Sequence, residues 1–198
     1  MFPPPHLCGP NTSEPALSEA SEAAWMIRPE RPQDAPLVER LNESTFGPGR
    51  FAKSAYRLRE GVSQVSELAF VAIQAGELRG SVRFWPIIIG TRRALMLGPL
   101  AVQSDQRGRG IGVALMERSL AAARTLDHDA VILVGDESYY SRVGFSRLKP
   151  GAVRFPGPVD PARLLGLSLK AKAALVLEGT ARRACLDVPV CADGAGLG

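Results

Sequence analysis

The chain has 198 residues, 45% of them apolar and 22% charged, with a formal net charge of +4. That is the composition of an ordinary globular protein, with length for one domain and a sizeable core. The positive balance is spread along the chain, without a long Lys/Arg run or aromatic–basic interleaving, and no apolar run reaches membrane-span length, so neither nucleic acid nor a membrane is expected as a partner.

Residues 1–24 are rich in Pro, Ser, Glu and Ala and read as a flexible tail, without the basic and apolar regions of a signal peptide. The three cysteines, Cys8, Cys185 and Cys191, form no C-x-x-C pair, and only two histidines accompany them, His6 and His128. This set offers no zinc site and no disulfide framework, so a reduced, cytoplasmic, metal-free protein is expected.

Trp25 to Arg28 predicts a first strand, ended by Pro29 and Pro32. Asp34 is placed to cap a helix with Pro36 in its first turn, and Leu37, Val38, Leu41 and Phe46 give that helix its apolar face. Gly47-Pro48-Gly49 breaks it, and Phe51 to Glu60 predicts a second helix. A meander of three strands follows. Leu68 to Ile73 is an apolar run, Ala75-Gly76 a tight turn, and Leu78 to Ile89 a longer strand whose Pro86 predicts an edge position or a bulge. After Gly90 to Arg93, Ala94 to Val102 is the third strand.

The chain then runs through Arg107-Gly108-Arg109-Gly110-Ile111-Gly112 into a helix over about Gly110 to Leu126, with Ile111, Val113, Ala114, Leu115 and Leu120 on its buried side. Ala130 to Val134 is a wholly apolar strand, suited to the centre of a sheet. A short helix around Ser138 to Val143 leads to Gly144-Phe145. Leu164 to Leu169 and Ala174 to Leu177 predict two more strands, and the residues from Pro189 on read as frayed. One domain over 25–188 results. His128, just past a helix end, reads as a capping cation, Trp85 as core or rim, and the cysteines as incidental.

The glycine loop carries the functional information. Glycines at alternate positions before a helix leave backbone N–H groups directed at one point, where the helix dipole is positive, and this suits a phosphate or pyrophosphate. It is not a P-loop, because Val113 and Ala114 stand where Lys and Ser/Thr are needed. It is not the dinucleotide fingerprint G-x-G-x-x-G either, since Val113 or Leu115 occupies the third glycine position and three meander strands precede the loop.

The loop matches the Q/R-x-x-G-x-G/A signature of the GNAT N-acetyltransferase superfamily, which the chain resembles over roughly residues 25–184. Leu97-Gly98-Pro99-Leu100-Ala101-Val102 looks like that family's fourth strand. Val134-Gly135-Asp136 with Tyr139-Tyr140-Ser141-Arg142-Val143-Gly144-Phe145 looks like its fifth strand and the following helix. The words are closest to a bacterial subgroup of predicted N-acetyltransferases.

The resemblance implies an α/β GNAT fold, a mixed and mostly antiparallel sheet of six or seven strands flanked by helices. It implies acetyl-CoA as co-substrate, no metal, and transfer of the acetyl group to an amine on a small-molecule or peptide acceptor. Backbone amides of Arg107, Gly108, Arg109, Gly110, Ile111, Gly112 and Val113 would hold the pyrophosphate. Leu100, Ala101 and Val102 would line the pantetheine, Leu100 and Val102 through their backbones, beside a bulge at Gly98-Pro99. Tyr140, four residues before Gly144, corresponds to the general acid, with Tyr139 as the alternative. The strand holds no acid for a general base. Glu67, Glu77 and Asp136 are substitutes, and an ordered water is simpler. Thr45, Phe46, Arg50 and Tyr56 are candidate acceptor contacts. A homodimer through sheet edges is compatible with the family, and a non-catalytic acyl-CoA-binding module would carry the same cofactor words.

Overall fold

A computed structural model describes residues 25–49, 54–170 and 175–184. Nine strands are present among them: β1 (Met26–Pro29), β2 (Phe70–Gln74), β3 (Glu77–Ile89), β4 (Arg92–Val102), β5 (Ala130–Val134), β6 (Ser146–Arg147), β7 (Val153–Arg154), β8 (Leu164–Ser168) and β9 (Gly179–Arg183). The helices are α1 (Ala35–Phe46), α2 (Ser54–Arg57), α3 (Ile111–Thr125) and α4 (Glu137–Tyr140). The sheet order is β1-β2-β3-β4-β5-β8-β6, with β9 added beside β3 and β7 beside β9. Neighbours are antiparallel except β4–β5 and β7–β9. The sheet thus exceeds the expected six or seven strands, because β6 and β7 are two-residue pairings with no periodicity of their own.

The meander follows the apolar runs. Ala75 (φ 50°) and Gly76 (φ 79°) both take left-handed backbone in the two-residue turn between Gln74 and Glu77, the geometry that matches strand twist. Pro86 is interior. The carbonyl of Pro86 accepts from Ala184 N (3.3 Å), so its missing N–H also faces the β9 side, just past the β9 ladder at Ile87. The proline thus makes one bond to Ala184 instead of two, where that ladder ends.

Alternation puts Leu95, Leu97, Val131 and Leu133 on one face of the sheet and Ala94, Met96, Ala130 and Ile132 on the other. α3 covers the first face with Ile111, Leu115, Met116 and Leu120; Val113 and Ala114, expected on its buried side, are only half-buried. α1 covers the second face through Val38 and Leu41, which pack on Val71, Leu78 and Ala101. Asp34 precedes α1 but makes no side-chain cap bond; its carboxylate instead binds Arg28 (2.6 and 2.9 Å) and the Arg31 amide (2.7 Å), stapling β1 to the helix start.

Two expectations fail in the last third. Residues 175–178 form no strand. Leu177 is buried, but the ladder partner offered by the free half of β3 is taken by Gly179–Arg183. His128 is no capping cation. It is half-buried, and desolvation lowers its pKa against the pull of Asp129, Asp127 and Glu67. The cation at this helix end is Lys170, whose Nζ donates to the Asp127 carbonyl (3.2 Å) and pairs with the Asp127 carboxylate. The tail, Arg50, the three cysteines and the frayed end lie outside the described residues.

Candidate active site

β4 is the axis of the site. Leu97 pairs with Phe84 and Leu100 with Val82, so Gly98 and Pro99 together oppose the single residue Arg83: a β-bulge. On its other edge β4 meets β5 only at Leu95–Val131 and Met96–Ile132. Beyond the bulge, no strand among the described residues pairs with that edge. Gln103 N donates to Arg79 O (2.9 Å), so Gln103 and, two residues earlier, Ala101 point their backbone groups at β3. Leu100 and Val102, alternating with them, present theirs to the open edge. Ala101 therefore departs from its expected role, for its backbone serves the β3 ladder and its side chain is fully buried under α1.

The glycine loop ends this open edge. Gly108 (φ 81°) and Gly110 (φ 84°) both have left-handed backbone, and a Cβ on either would meet nothing within 4 Å. The loop surface is therefore open, in a conformation that side chains resist. The first bond of α3 runs from Ala114 N to Gly110 O (3.0 Å), which leaves the amides of Ile111, Gly112 and Val113 ahead of the helix ladder. These features fit a pyrophosphate on backbone N–H groups.

At the other end of the edge lies a cavity of about 530 Å³, lined by Gly98, Pro99, Leu100 and Tyr140 together with side chains from α1, α2, β3 and the 156–163 segment. The Asp136 carbonyl accepts from both Tyr139 N (3.0 Å) and Tyr140 N (3.1 Å), turning the two rings apart, edge to face at 5.1 Å. Tyr140 reaches the cavity. Burial raises its pKa to about 12, only partly offset by Arg163 and Arg59. Tyr139 instead packs on Gly112 at the start of α3, with Arg142 over its ring at 5.6 Å.

Of the expected acceptor contacts, Phe46 and Tyr56 line the cavity and Thr45 does not. None of the three substitute bases does either. Glu67 accepts from Ser66 Oγ (2.9 Å), Glu77 pairs with Arg79 (2.8 Å), and Asp136 lies 3.4 Å from Arg163. The wall carries instead Glu39, Arg59, Arg83, Trp85, Asp160 and Arg163, five of which the sequence reading does not single out. Arg83, the residue opposite the bulge, binds Glu30 (2.6 and 2.9 Å) and Glu39 (2.6 Å). Burial works to lower its pKa, but these carboxylates overcome it and leave it raised. Trp85 donates its indole N–H to Val62 O (3.2 Å) and carries Arg59 over its ring at 5.1 Å. Ser54 Oγ to Pro158 O (2.5 Å) and Arg57 Nη1 to Pro156 O (2.9 Å) tie α2 to the far wall.

Comparison with known proteins places this architecture. A family model described as "Acetyltransferase (GNAT) domain" matches residues 66–147. The uncharacterized N-acetyltransferase YhbS of Escherichia coli strain K12 is 33% identical over 123 residues, 61% of this chain and 72% of the relative. The chain belongs to the GNAT N-acetyltransferase family. Among solved GNAT structures, that of E. coli YhbS in complex with CoA superposes with a TM-score of 0.69 at 27% identity, over 82% of this chain and 91% of the other. A GNAT acetyltransferase from Brucella melitensis in complex with acetyl-CoA gives 0.62 at 26% identity, over 82% and 97%. No helix among the described residues is long and apolar enough to cross a membrane.

Proposed function

We propose that the chain is an acetyl-CoA-dependent N-acetyltransferase acting on an amine. The observation that carries this reading is the continuity of one edge: the amides of Ile111, Gly112 and Val113 ahead of the helix ladder at one end, the outward backbone of Leu100 and Val102 along it, and a cavity lined by Tyr140 at the other. Arg107 to Val113 would hold the pyrophosphate through backbone N–H groups, and Leu100 and Val102 would pair with the pantetheine as an added strand would.

Acetyl-CoA supplies a thioester whose carbonyl carbon an amine can attack. The new bond is C–N, the broken one C–S, and the products are an N-acetyl amide and free CoA thiol. Tyr140, kept as a neutral phenol, gives its proton to the departing sulfur. The proton lost by the amine goes to water, since the cavity carboxylates serve other bonds: Glu39 is tied to Arg83, and Asp160 accepts from Ala162 N (2.9 Å). The bulge leaves room for the reacting carbonyl between β4 and β5.

Release of CoA thiol from acetyl-CoA with a panel of amines tests the reading. Amine-dependent release, lost in Tyr140→Phe, is the expected result. Tight acetyl-CoA binding without release on any amine would turn the reading into that of a binding module.

A further inference from the structure

Arg59 lies just past α2, and its guanidinium enters the cavity wall beside the bulge. A Cβ at Gly98 would stand 3.0 Å from Nη2, and the charge sits over Trp85. Its Nε is buried and has no hydrogen-bond partner. Among the described residues it makes no ion pair, whereas the other cavity cations have theirs: Arg83 with Glu30 and Glu39, Arg163 with Asp136. Burial pushes the Arg59 pKa down to about 10, and the groups that act against this are the phenols of Tyr56 and Tyr140, not a carboxylate. It is still a cation at neutral pH.

A half-buried guanidinium with a sealed Nε and no counter-ion among the described residues has lost hydration that a ligand can restore. The CoA pyrophosphate is not that ligand, for its cradle begins nine residues beyond Gly98, past the end of β4. The missing anion therefore belongs to the second substrate. A single planar fork with one positive charge matches one carboxylate. Arg59 adjoins both the bulge and Tyr140, so the carboxylate must sit within a few bonds of the attacking nitrogen. Phe46, Val62 and Trp85 leave apolar wall for a side chain.

Building on the acetyl-transfer reading above, we propose that the acceptor is a free amino acid or close analogue, a small amine whose carboxylate pairs with Arg59. Polycationic amines and lysine side chains within proteins bring no such anion and are poor acceptors.

The test measures thiol release by the full chain with the common free L-amino acids, each beside its carboxamide and its decarboxylated amine. The preferred amino acid is expected to exceed both by about 30-fold or more in kcat/KM, chiefly through KM. Arg59→Gln should collapse that ratio and Arg59→Lys recover part of it, with acetyl-CoA affinity reporting that both variants are folded. Equal use of acid and amide overturns the proposal. So does an equal fall on both in Arg59→Gln, which would assign Arg59 to the reacting carbonyl. If no amine is turned over, the acetyl-transfer reading fails by itself, and calorimetry of the same amino acids into the CoA-saturated protein decides this one. Carboxylate-dependent binding lost in Arg59→Gln supports it, and its absence overturns it.

Discussion

Gly135 seats the ring of Tyr140. A Cβ at Gly135 would overlap Tyr140 Cε2 and stand 2.8 Å from Cδ2, while Phe145 holds the ring from another side at 6.1 Å between centroids. The Gly135 amide is fixed by Arg163 O (2.9 Å), so the backbone cannot easily yield and the ring must move. Gly135→Ala is expected to lower kcat by about 10- to 100-fold, because small displacements of a reacting group are expensive. Acetyl-CoA affinity, which the proposed function sets at the far end of β4, should change little. Steady-state kinetics beside calorimetry checks the split, and an unchanged kcat would remove Tyr140 from the chemistry.

Tyr140→Phe should cost about 100-fold in kcat, at the lower end of the range for general-acid catalysis, with KM for acetyl-CoA retained. The pH profile adds a second readout. Burial raises the Tyr140 pKa to about 12, so its proton is in place throughout the neutral and mildly basic range. At saturating acceptor, kcat is expected to hold up to pH 10, where an ordinary tyrosine would already be half ionised. A descending limb below pH 10 that vanishes in Tyr140→Phe would contradict this assignment.

Gly110→Asp strikes the loop twice. It forces a side chain onto a residue at φ 84°, and it sets a negative charge beside the proposed pyrophosphate. The expected rise in the acetyl-CoA dissociation constant is about 100-fold, in keeping with several kcal/mol for like charges in contact. Titration calorimetry measures it, and retained affinity would remove the phosphate site from this loop.

Asp34→Ala tests the staple between β1 and α1. The Asp34 side chain is 6% exposed and that of Arg28 23%, so the loss should be about 2 kcal/mol, short of a fully buried pair. The hydrogen bond from Arg28 is the main cause that holds the Asp34 pKa below 3.8. A depressed carboxylate pKa contributes stability above its unfolded value and loses it as pH falls through the folded one. The gap between parent and variant in urea unfolding should be full at pH 7, shrink as the pH drops below about 3.8, and vanish below the folded pKa.

Most of the fold is legible in the chain because its strands are continuous apolar runs and its turns carry their own residues, as at Ala75-Gly76. β9 is not, since Gly179-Thr180-Ala181-Arg182-Arg183 has no strand-like pattern and pairs only because β2 leaves half of β3 uncovered. Ala101 shows the same limit within the site. Its place in an L-G-P-L-A-V word cannot tell which edge its backbone faces, because that is set by the phase of the ladder with β3.

The glycine loop of the proposed cofactor half was determined by sequence alone. A phosphate cradle is built from consecutive backbone groups, so Arg107 to Gly112, the strand before them and the tyrosines after β5 spell it out locally. The cavity proposed for the acceptor was decided only by tertiary structure. Arg59, Arg83 and Trp85 lie in segments that share no periodic pattern, and they meet because the Gly98–Pro99 bulge parts β4 from β5 beside a cavity walled by α1, α2, β3 and residues 158–163. A charge such as Arg59 reads in the chain as one more solvated arginine. It becomes informative once the fold seals its Nε and turns it into a cavity with no counter-ion among the described residues.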